Sequence, residues 1–102
     1  LEDGGCEVIP NGVGRAYKAD ELRDALVGVD AIVTGTDELT AEVIAGADRL
    51  RTIAKHGVGL DTIDLQAARE RGIVVSATPG AIHDSVADLT LALLLAVARR
   101  IV

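Results

Sequence analysis

Short runs of β-branched and aliphatic residues alternate with helical patterns along the whole chain. The runs cover residues 6–10, 31–34, 52–55 and 73–77, and each is short and apolar, as expected of strands buried on both faces. This alternation is typical of repeated strand–helix units around a parallel sheet. The sequence therefore predicts an α/β fold, and its 102 residues have room for one small domain.

Three helices are predicted between these runs. Acidic side chains at Asp20 and Glu21 favour the start of the first, which continues with apolar residues at helical spacing. Thr40 and Asp64 are the predicted N-caps of the second and third. Gly72 is expected to end the third helix in the left-handed conformation.

A fourth helix, predicted over residues 84–102, is apolar nearly all round. Asp84 and Ser85 are its N-cap candidates. Its purely apolar part covers only residues 91–98 before two arginines follow, which is too short for a membrane span. A helix apolar on all sides must be covered on more than one side. We expect its own sheet to cover one face, and another domain or subunit to cover the other.

Charge and cysteine content exclude several classes of protein. A net charge of −6 argues against sequence-independent binding to nucleic acid or to an anionic membrane. The single Cys6 cannot form an intrachain disulfide, and neither a zinc spacing nor a CxxC pair is present. No charged segment precedes an apolar run in the manner of a signal peptide. We expect a cytoplasmic protein without a metal site.

A glycine-rich turn, HGVGLD, directly follows the run at 52–55. In a parallel sheet the carboxyl ends of the strands form the ligand crevice, and glycines there expose backbone N–H groups to an anion. Gly57 and Gly59 would admit a carboxylate or phosphate, with Lys55 as a positive charge at the rim. A tight connection that uses glycine only for its dihedral freedom explains the turn equally well. The turn lacks the third glycine of a dinucleotide fingerprint.

A second loop, ATPGAIHDS, also joins a strand to a helix. The helix N-terminus directs free N–H groups toward the same crevice. His83 is a candidate for hydrogen bonding or proton transfer there, although a solvated histidine is the simpler interpretation, as it is for His56. The DEL clusters at Asp20 and Asp37 are interpreted as helix-start acids on solvated faces.

The two loops, in this order and separated by DLQAARERGIVV, resemble the D-isomer-specific 2-hydroxyacid dehydrogenases, most closely the phosphoglycerate dehydrogenase branch. The likeness is strong through GVGLDTIDLQAARERGIVV and TPGAIHDSVADLTLALLLAVARR and looser in the first half. It implies a flavodoxin-like substrate-binding domain over residues 1–102, a three-layer parallel sheet flanked by helices. Residues 84–102 would be the long helix leading to a separate Rossmann domain. Residues 6–10 would be the second strand, so the first, interior strand would be lacking.

The resemblance also implies roles for individual residues. The N–H groups of Val58 and Gly59 would hold the substrate carboxylate, and Lys55 would face the substrate. Val58 would also touch the nicotinamide, and the loop carrying Ile82 and His83 would line the cleft between domains.

Two positions depart from the pattern of the family. Thr62 and Ile82 stand where the family usually has Asn, and at Ile82 a hydrocarbon replaces an amide that could bind the substrate. The sequence therefore defines the substrate less well than it defines the family.

The implied reaction is hydride transfer between a 2-hydroxyacid, such as 3-phosphoglycerate, and NAD or NADP. The cofactor would be bound mainly by a domain outside this chain. The family's catalytic His, Glu and Arg do not lie in this sequence, so no catalytic residue is assigned and the chain alone is expected to be inactive.

We further expect a homodimer. A sheet without its interior strand leaves unpaired backbone edges, so the chain is expected to be marginally stable alone and to pair through those edges or through its last helix. The alternative to an enzyme part is a non-catalytic flavodoxin-like binding or interaction module. A phosphate-responsive receiver domain fits less well, because no cluster of acids lies at the strand ends.

Overall fold

The computed structural model describes residues 2–101. Its sheet contains three parallel strands in sequential order: β1 (Ala31–Thr34), β2 (Thr52–Lys55) and β3 (Val74–Ser76). In register, Ile32 pairs with Ile53, and Ile53 pairs with Val75. The predicted α/β class with a parallel sheet and flanking helices is confirmed, as are the strands expected at 31–34 and 52–55. The third strand is shorter than predicted.

Four α-helices follow a short 3₁₀ turn at Glu2–Gly4: α1 (Ala19–Ala25), α2 (Ala41–Gly46), α3 (Leu65–Glu70) and α4 (His83–Ala98). The predicted caps of α2 and α3 are confirmed. The Thr40 hydroxyl accepts a hydrogen bond from Val43 N at 3.3 Å, and the Asp64 carboxylate accepts one from Ala67 N at 2.9 Å. Gly72 has a φ of 67°, the left-handed conformation predicted for it.

The hydrophobic core lies on one face of the sheet. Ile32, Ile53 and Val75 share this face, and Ile53 at its centre is 0% exposed. Helices α1, α2 and α3 all contribute to the same buried cluster, whose other members are Leu22, Leu26, Leu39, Val43, Ile44, Ala47, Leu50, Ile63, Ala68 and Ile73. Burying a Val, Leu or Ile side chain stabilises the fold by about 1.5–3 kcal/mol. This helix–sheet contact is therefore the main source of stability.

The opposite face of the sheet is uncovered in residues 2–101. We call it the bare sheet face, and it is formed by Ala31, Val33, Thr52, Ala54, Val74 and Ser76. Val33 and Val74 are 64% and 63% exposed. Helices α1–α3 thus form one layer on the sheet, and the described residues do not supply the third layer of the predicted arrangement.

The strand predicted at residues 6–10 does not form. This segment has no strand assignment, and all five of its residues are exposed. The carbonyls of Asp30 and Thr34 accept bonds from the β2 side, so the backbone groups of Ala31 and Val33 point to the outer edge of β1. In the described part of the chain nothing pairs with that edge. A strand needs a hydrogen-bonded neighbour, and residues 6–10 have none.

Helix α4 projects from the rest of the molecule. It begins at His83, and Ile82 occupies the N-cap position without a side-chain hydrogen bond to the helix. The predicted N-caps at Asp84 and Ser85 are therefore wrong. Within residues 2–101, α4 contacts no other helix or strand. The expectation that its own sheet covers one face is therefore wrong as well. Its 16 residues are about 24 Å long, which gives the molecule a longest dimension of 54 Å.

The apolar side chains of α4 are correspondingly exposed. The large ones range from 54% exposed at Val86 to 78% at Val97. None of the helices between residues 2 and 101 is both long enough and apolar enough to cross a lipid bilayer.

Candidate anion-binding site

The glycine-rich turn lies at the carboxyl end of β2. Gly57 has a φ of 133°, a conformation that side-chain-bearing residues rarely adopt. Among residues 2–101, the N–H groups of Val58 and Gly59 donate no hydrogen bond. Neither residue is buried, so both N–H groups remain available to a ligand from solvent. An anion is the natural partner for two adjacent donors of this kind.

The second loop is hydrogen-bonded to this turn. The carbonyl of Gly57 accepts two bonds from Thr78, one from its backbone N–H and one from its hydroxyl, each 3.0 Å long. Thr78 lies two residues beyond the end of β3. The turn after β2 and the loop after β3 therefore meet at one edge of the sheet, as expected for neighbouring parallel strands.

Lys55 supplies a buried positive charge beside the turn. It is 9% exposed, and its ammonium group donates to the Gly35 carbonyl and, at 3.4 Å, to the hydroxyl of Thr62. Both acceptors are uncharged. No carboxylate within the described range lies within 4.0 Å of this ammonium group. Buried charges in proteins are normally paired with an opposite charge, so the ammonium group has capacity for an anion.

The loop that carries the Gly35 carbonyl is held by Asp37. Its carboxylate accepts a bond from Tyr17 N at 2.8 Å and one from the Thr34 hydroxyl at 3.0 Å. Thr34 is 1% exposed. The interpretation of Asp37 as a solvated helix-start acid is therefore wrong. The sequence did hold one sign of this role, because Asp37 lies three residues after Thr34, just beyond the end of a strand.

The segment that carries the Thr62 hydroxyl is held just as firmly. Leu39 N donates to the Thr62 carbonyl at 2.8 Å, and Asp64 N donates to the Leu39 carbonyl at 2.9 Å. These bonds form an isolated parallel bridge between Leu39 and Ile63. The loops after β1 and β2 are thus joined, and both acceptors of the Lys55 ammonium group are fixed in place.

The remaining predicted site residues lie at the surface. Val58 is 40% exposed, and its side chain is an apolar patch beside the two free N–H groups. His83 is the first residue of α4 rather than part of the loop, and it is exposed. No hydrogen bond within residues 2–101 joins His83 to the turn. His56 is exposed as well, and its backbone N–H donates to the Thr34 carbonyl at 2.7 Å.

Two carboxylates with perturbed pKa values lie outside this site. The hydrogen bond from Arg15, together with one from the Lys18 backbone, lowers the pKa of Glu21 from 4.5 to about 2. The Gly28 N–H lowers the pKa of Asp48 below its ordinary value. Both effects stabilise surface turns and do not bear on the chemistry of the turn after β2.

A separate cavity of about 510 Å³ lies at the opposite, amino edge of the strands, beside Asp30, Arg51 and Gly72. Arg71 lines it, but its guanidinium group is already used, because it donates to the carbonyls of Ile44 and Ala47 at the end of α2. This cavity is therefore distinct from the site at the carboxyl edge. No three His, Cys, Asp or Glu side chains of residues 2–101 lie close enough together to hold a metal ion.

Comparison with known proteins identifies relatives of this chain. Residues 2–99 match the D-isomer specific 2-hydroxyacid dehydrogenase family, catalytic domain. The chain is 53% identical to a glyoxylate reductase of Thermococcus litoralis over 91% of its own length and 27% of that protein. It is 39% identical to a D-3-phosphoglycerate dehydrogenase of Methanocaldococcus jannaschii over 99% of its length and 19% of that protein. The chain thus spans about a quarter or less of these relatives.

Solved structures agree with this result. The TT0316 protein of Thermus thermophilus superposes with a TM-score of 0.81 and 47% identity, covering 86% of this chain and 29% of that one. A D-lactate dehydrogenase of Aquifex aeolicus, solved in complex with NAD and lactic acid, superposes with a TM-score of 0.66 and 33% identity, covering 72% of this chain and 22% of that one. With the family match extending over residues 2–99, the chain belongs to the D-isomer-specific 2-hydroxyacid dehydrogenases, within their catalytic domain.

Proposed function

We propose that this chain forms the substrate-binding part of an NAD-dependent oxidoreductase that transfers a hydride between a 2-hydroxyacid and the nicotinamide. The observation that carries this proposal is the Lys55 ammonium group, which is buried beside the turn with uncharged acceptors only. Two free N–H groups, of Val58 and Gly59, lie three and four residues further along the chain. A carboxylate bound there would receive both hydrogen bonds and a counter-charge.

The substrate would be a small 2-hydroxyacid or the matching 2-oxoacid. In either molecule a carboxylate adjoins the reacting carbon, so holding the carboxylate at the turn positions that carbon at the crevice. Among the relatives compared, the glyoxylate reductase is more similar to this chain than the 3-phosphoglycerate dehydrogenase. We therefore propose glyoxylate and glycolate as the first pair to test, ahead of 3-phosphoglycerate. The role of His83 as a further substrate contact stays a prediction.

The residues present fit only one edge of a nicotinamide cofactor. The exposed, apolar side chain of Val58 could contact the nicotinamide ring, as predicted. The turn lacks the third glycine of a dinucleotide fingerprint, so most of the binding energy for NAD or NADP must come from another domain. When bound, the cofactor supplies the hydride acceptor or donor. Lys55, Val58 and Gly59 bind and orient the carboxylate.

A location in the cytoplasm also stays a prediction.

Titration of the chain with glycolate tests the binding site directly. A Cβ at Gly59 would lie 2.9 Å from the Asp61 carboxylate, an exposed group that can rotate away, and Gly59 does not have a positive φ. Gly59→Ala should therefore fold but add a methyl group next to its own N–H, weakening glycolate binding at least about tenfold. Gly12→Ala is the matched control, because a Cβ there meets nothing within 4 Å. Equal glycolate affinity in both variants would refute the assignment.

Activity is tested on the natural gene product that carries this sequence. Oxidation of NADH in the presence of glyoxylate is the expected result. If glycolate binds to the turn while no 2-oxoacid supports oxidation of NADH or NADPH, the non-catalytic binding module is the better description.

A further inference from the structure

The peptide between Gly57 and Val58 carries one of the two N–H groups of the proposed anion site. The Gly57 carbonyl and the Val58 N–H belong to this one planar unit. None of the described peptide bonds is cis, so the carbonyl and the N–H point in opposite directions. Whatever fixes the direction of the Gly57 carbonyl therefore fixes the direction of the Val58 N–H as well.

The local backbone does not hold this peptide in place by itself. Gly57 has no Cβ, and its φ of 133° lies in a region that is open mainly to glycine. Rotation about its Cα–C bond can thus tilt the following peptide at little steric cost. Residues 57–59 lie outside every helix and strand, and the Val58 N–H donates no hydrogen bond within residues 2–101. The direction of the peptide must therefore be set by contact with another segment.

Thr78 supplies this contact with both of its donors. Its backbone N–H and its hydroxyl each donate to the Gly57 carbonyl at 3.0 Å. The two lone pairs of a carbonyl oxygen lie near the plane of the peptide. A single donor leaves that plane free to swivel about the hydrogen bond, whereas two donors restrain it. The Thr78 hydroxyl therefore does more than hold two loops together, because it also limits the tilt of the peptide.

We propose that Thr78 is a positioning residue for carboxylate binding, because its two hydrogen bonds orient the Gly57–Val58 peptide so that the Val58 N–H faces the anion. Thr78 acts through this peptide and does not need to touch the ligand. Its hydroxyl is the part that mutation can remove, since the backbone N–H remains in every substitution except proline. This inference rests on the proposed function, because the carboxylate is the ligand that the N–H receives.

Removal of the hydroxyl tests the effect on affinity. Thr78→Val keeps the shape of the side chain and the backbone hydrogen bond but loses the hydroxyl bond. Glycolate affinity should fall about three- to tenfold, which is the range expected for one neutral hydrogen bond. Thr78→Ser keeps a hydroxyl and should bind glycolate within about twofold of the parent chain.

Thr90→Val is the matched control for this titration. The Thr90 hydroxyl also donates to a carbonyl, that of Val86 at 2.7 Å, but it does so within α4. A merely structural role of Thr78 would lower the free energy of unfolding in Thr78→Val and leave the affinity equal to that of Thr90→Val. That result would overturn the proposal.

Backbone ¹⁵N relaxation tests the restraint on the peptide without any ligand. In the parent chain and in Thr78→Ser, the Val58 amide should be as rigid as the amides of β2, with an order parameter of about 0.85. In Thr78→Val it should fall toward about 0.6, while the amides of β2 stay unchanged. A Val58 amide that is equally rigid in Thr78→Val would overturn the proposal.

The two failures can be told apart. No glycolate binding by the parent chain would overturn the proposed function and this inference together. Equal binding by the parent chain and Thr78→Val would overturn this inference alone.

Discussion

Replacement of Lys55 by Met separates the two roles that a buried ammonium group can have. Met is unbranched and fills a similar volume, but it removes the charge and both hydrogen bonds. If Lys55 serves mainly to stabilise the loops, the loss appears in the free energy of unfolding. If it serves mainly to bind an anion, the loss appears in the affinity for glycolate.

The structure indicates that affinity is the quantity that changes. At about 4 Å and an effective dielectric constant of about 20, two unit charges attract by about 4 kcal/mol. Part of this is offset, because the ammonium group already donates to Gly35 and Thr62 and must share these bonds with the ligand. We expect about 1.4–2.8 kcal/mol to remain, which is a 10- to 100-fold loss of affinity.

Stability should change little in the same variant. Removing a buried charge that lacks a counter-ion relieves its desolvation cost, and this offsets the lost hydrogen bonds to within about 1 kcal/mol. Calorimetric titration with glycolate and urea unfolding measure the two quantities. Lys18→Met is the control, because it removes the same charge from an exposed position. Lys55→Met could instead lower stability by several kcal/mol and bind glycolate as tightly as Lys18→Met does. In that case the ammonium group only stabilises the loops, and the reasoning is wrong.

Three further predictions concern the scaffold. Arg71→Met should lower the free energy of unfolding by about 1–3 kcal/mol, because the Ile44 and Ala47 carbonyls lose their hydrogen bonds from the guanidinium group and keep only one backbone donor each, whereas Arg69→Met in the exposed last turn of α3 should not. Asp64→Ala removes the cap of α3 and should cost about 1 kcal/mol in urea unfolding. The Glu21 pKa is lowered from 4.5 to about 2 by Arg15, so its contribution to stability is complete above pH 4.5 and is lost as the pH falls toward 2. Glu21→Gln should accordingly lose less free energy of unfolding than the parent protein as the pH falls over that range. An equal loss in both proteins would contradict the pairing of Arg15 with Glu21.

The features that were predictable from sequence are those set by neighbouring residues. The caps at Thr40 and Asp64 depend on a side chain and an N–H group three residues apart. The end of α3 depends on the dihedral freedom of Gly72 alone. The turn after β2 was recognisable for the same reason, since its glycines and its strand are contiguous in the chain.

The features that were not predictable depend on what lies next to a segment in space. Residues 6–10 have the composition of a strand, but no described edge pairs with them. An apolar pattern shows that α4 must be covered, but not by which surface. The burial of Lys55 against Gly35 and the anchoring of that loop by Asp37 join residues about twenty positions apart, which no local pattern reveals.

Backbone amide shifts provide the most direct measurement of the central claim, that the turn after β2 binds the carboxylate of a 2-hydroxyacid. In a ¹⁵N-labelled chain titrated with glycolate, the amides of Val58 and Gly59 should show the largest shifts and saturate together, while that of Gly12 stays unchanged. In the Gly59→Ala variant, the same shifts should require at least about tenfold more glycolate. Shifts that are absent at Val58 and Gly59, or that are the same along the whole chain, would contradict the account.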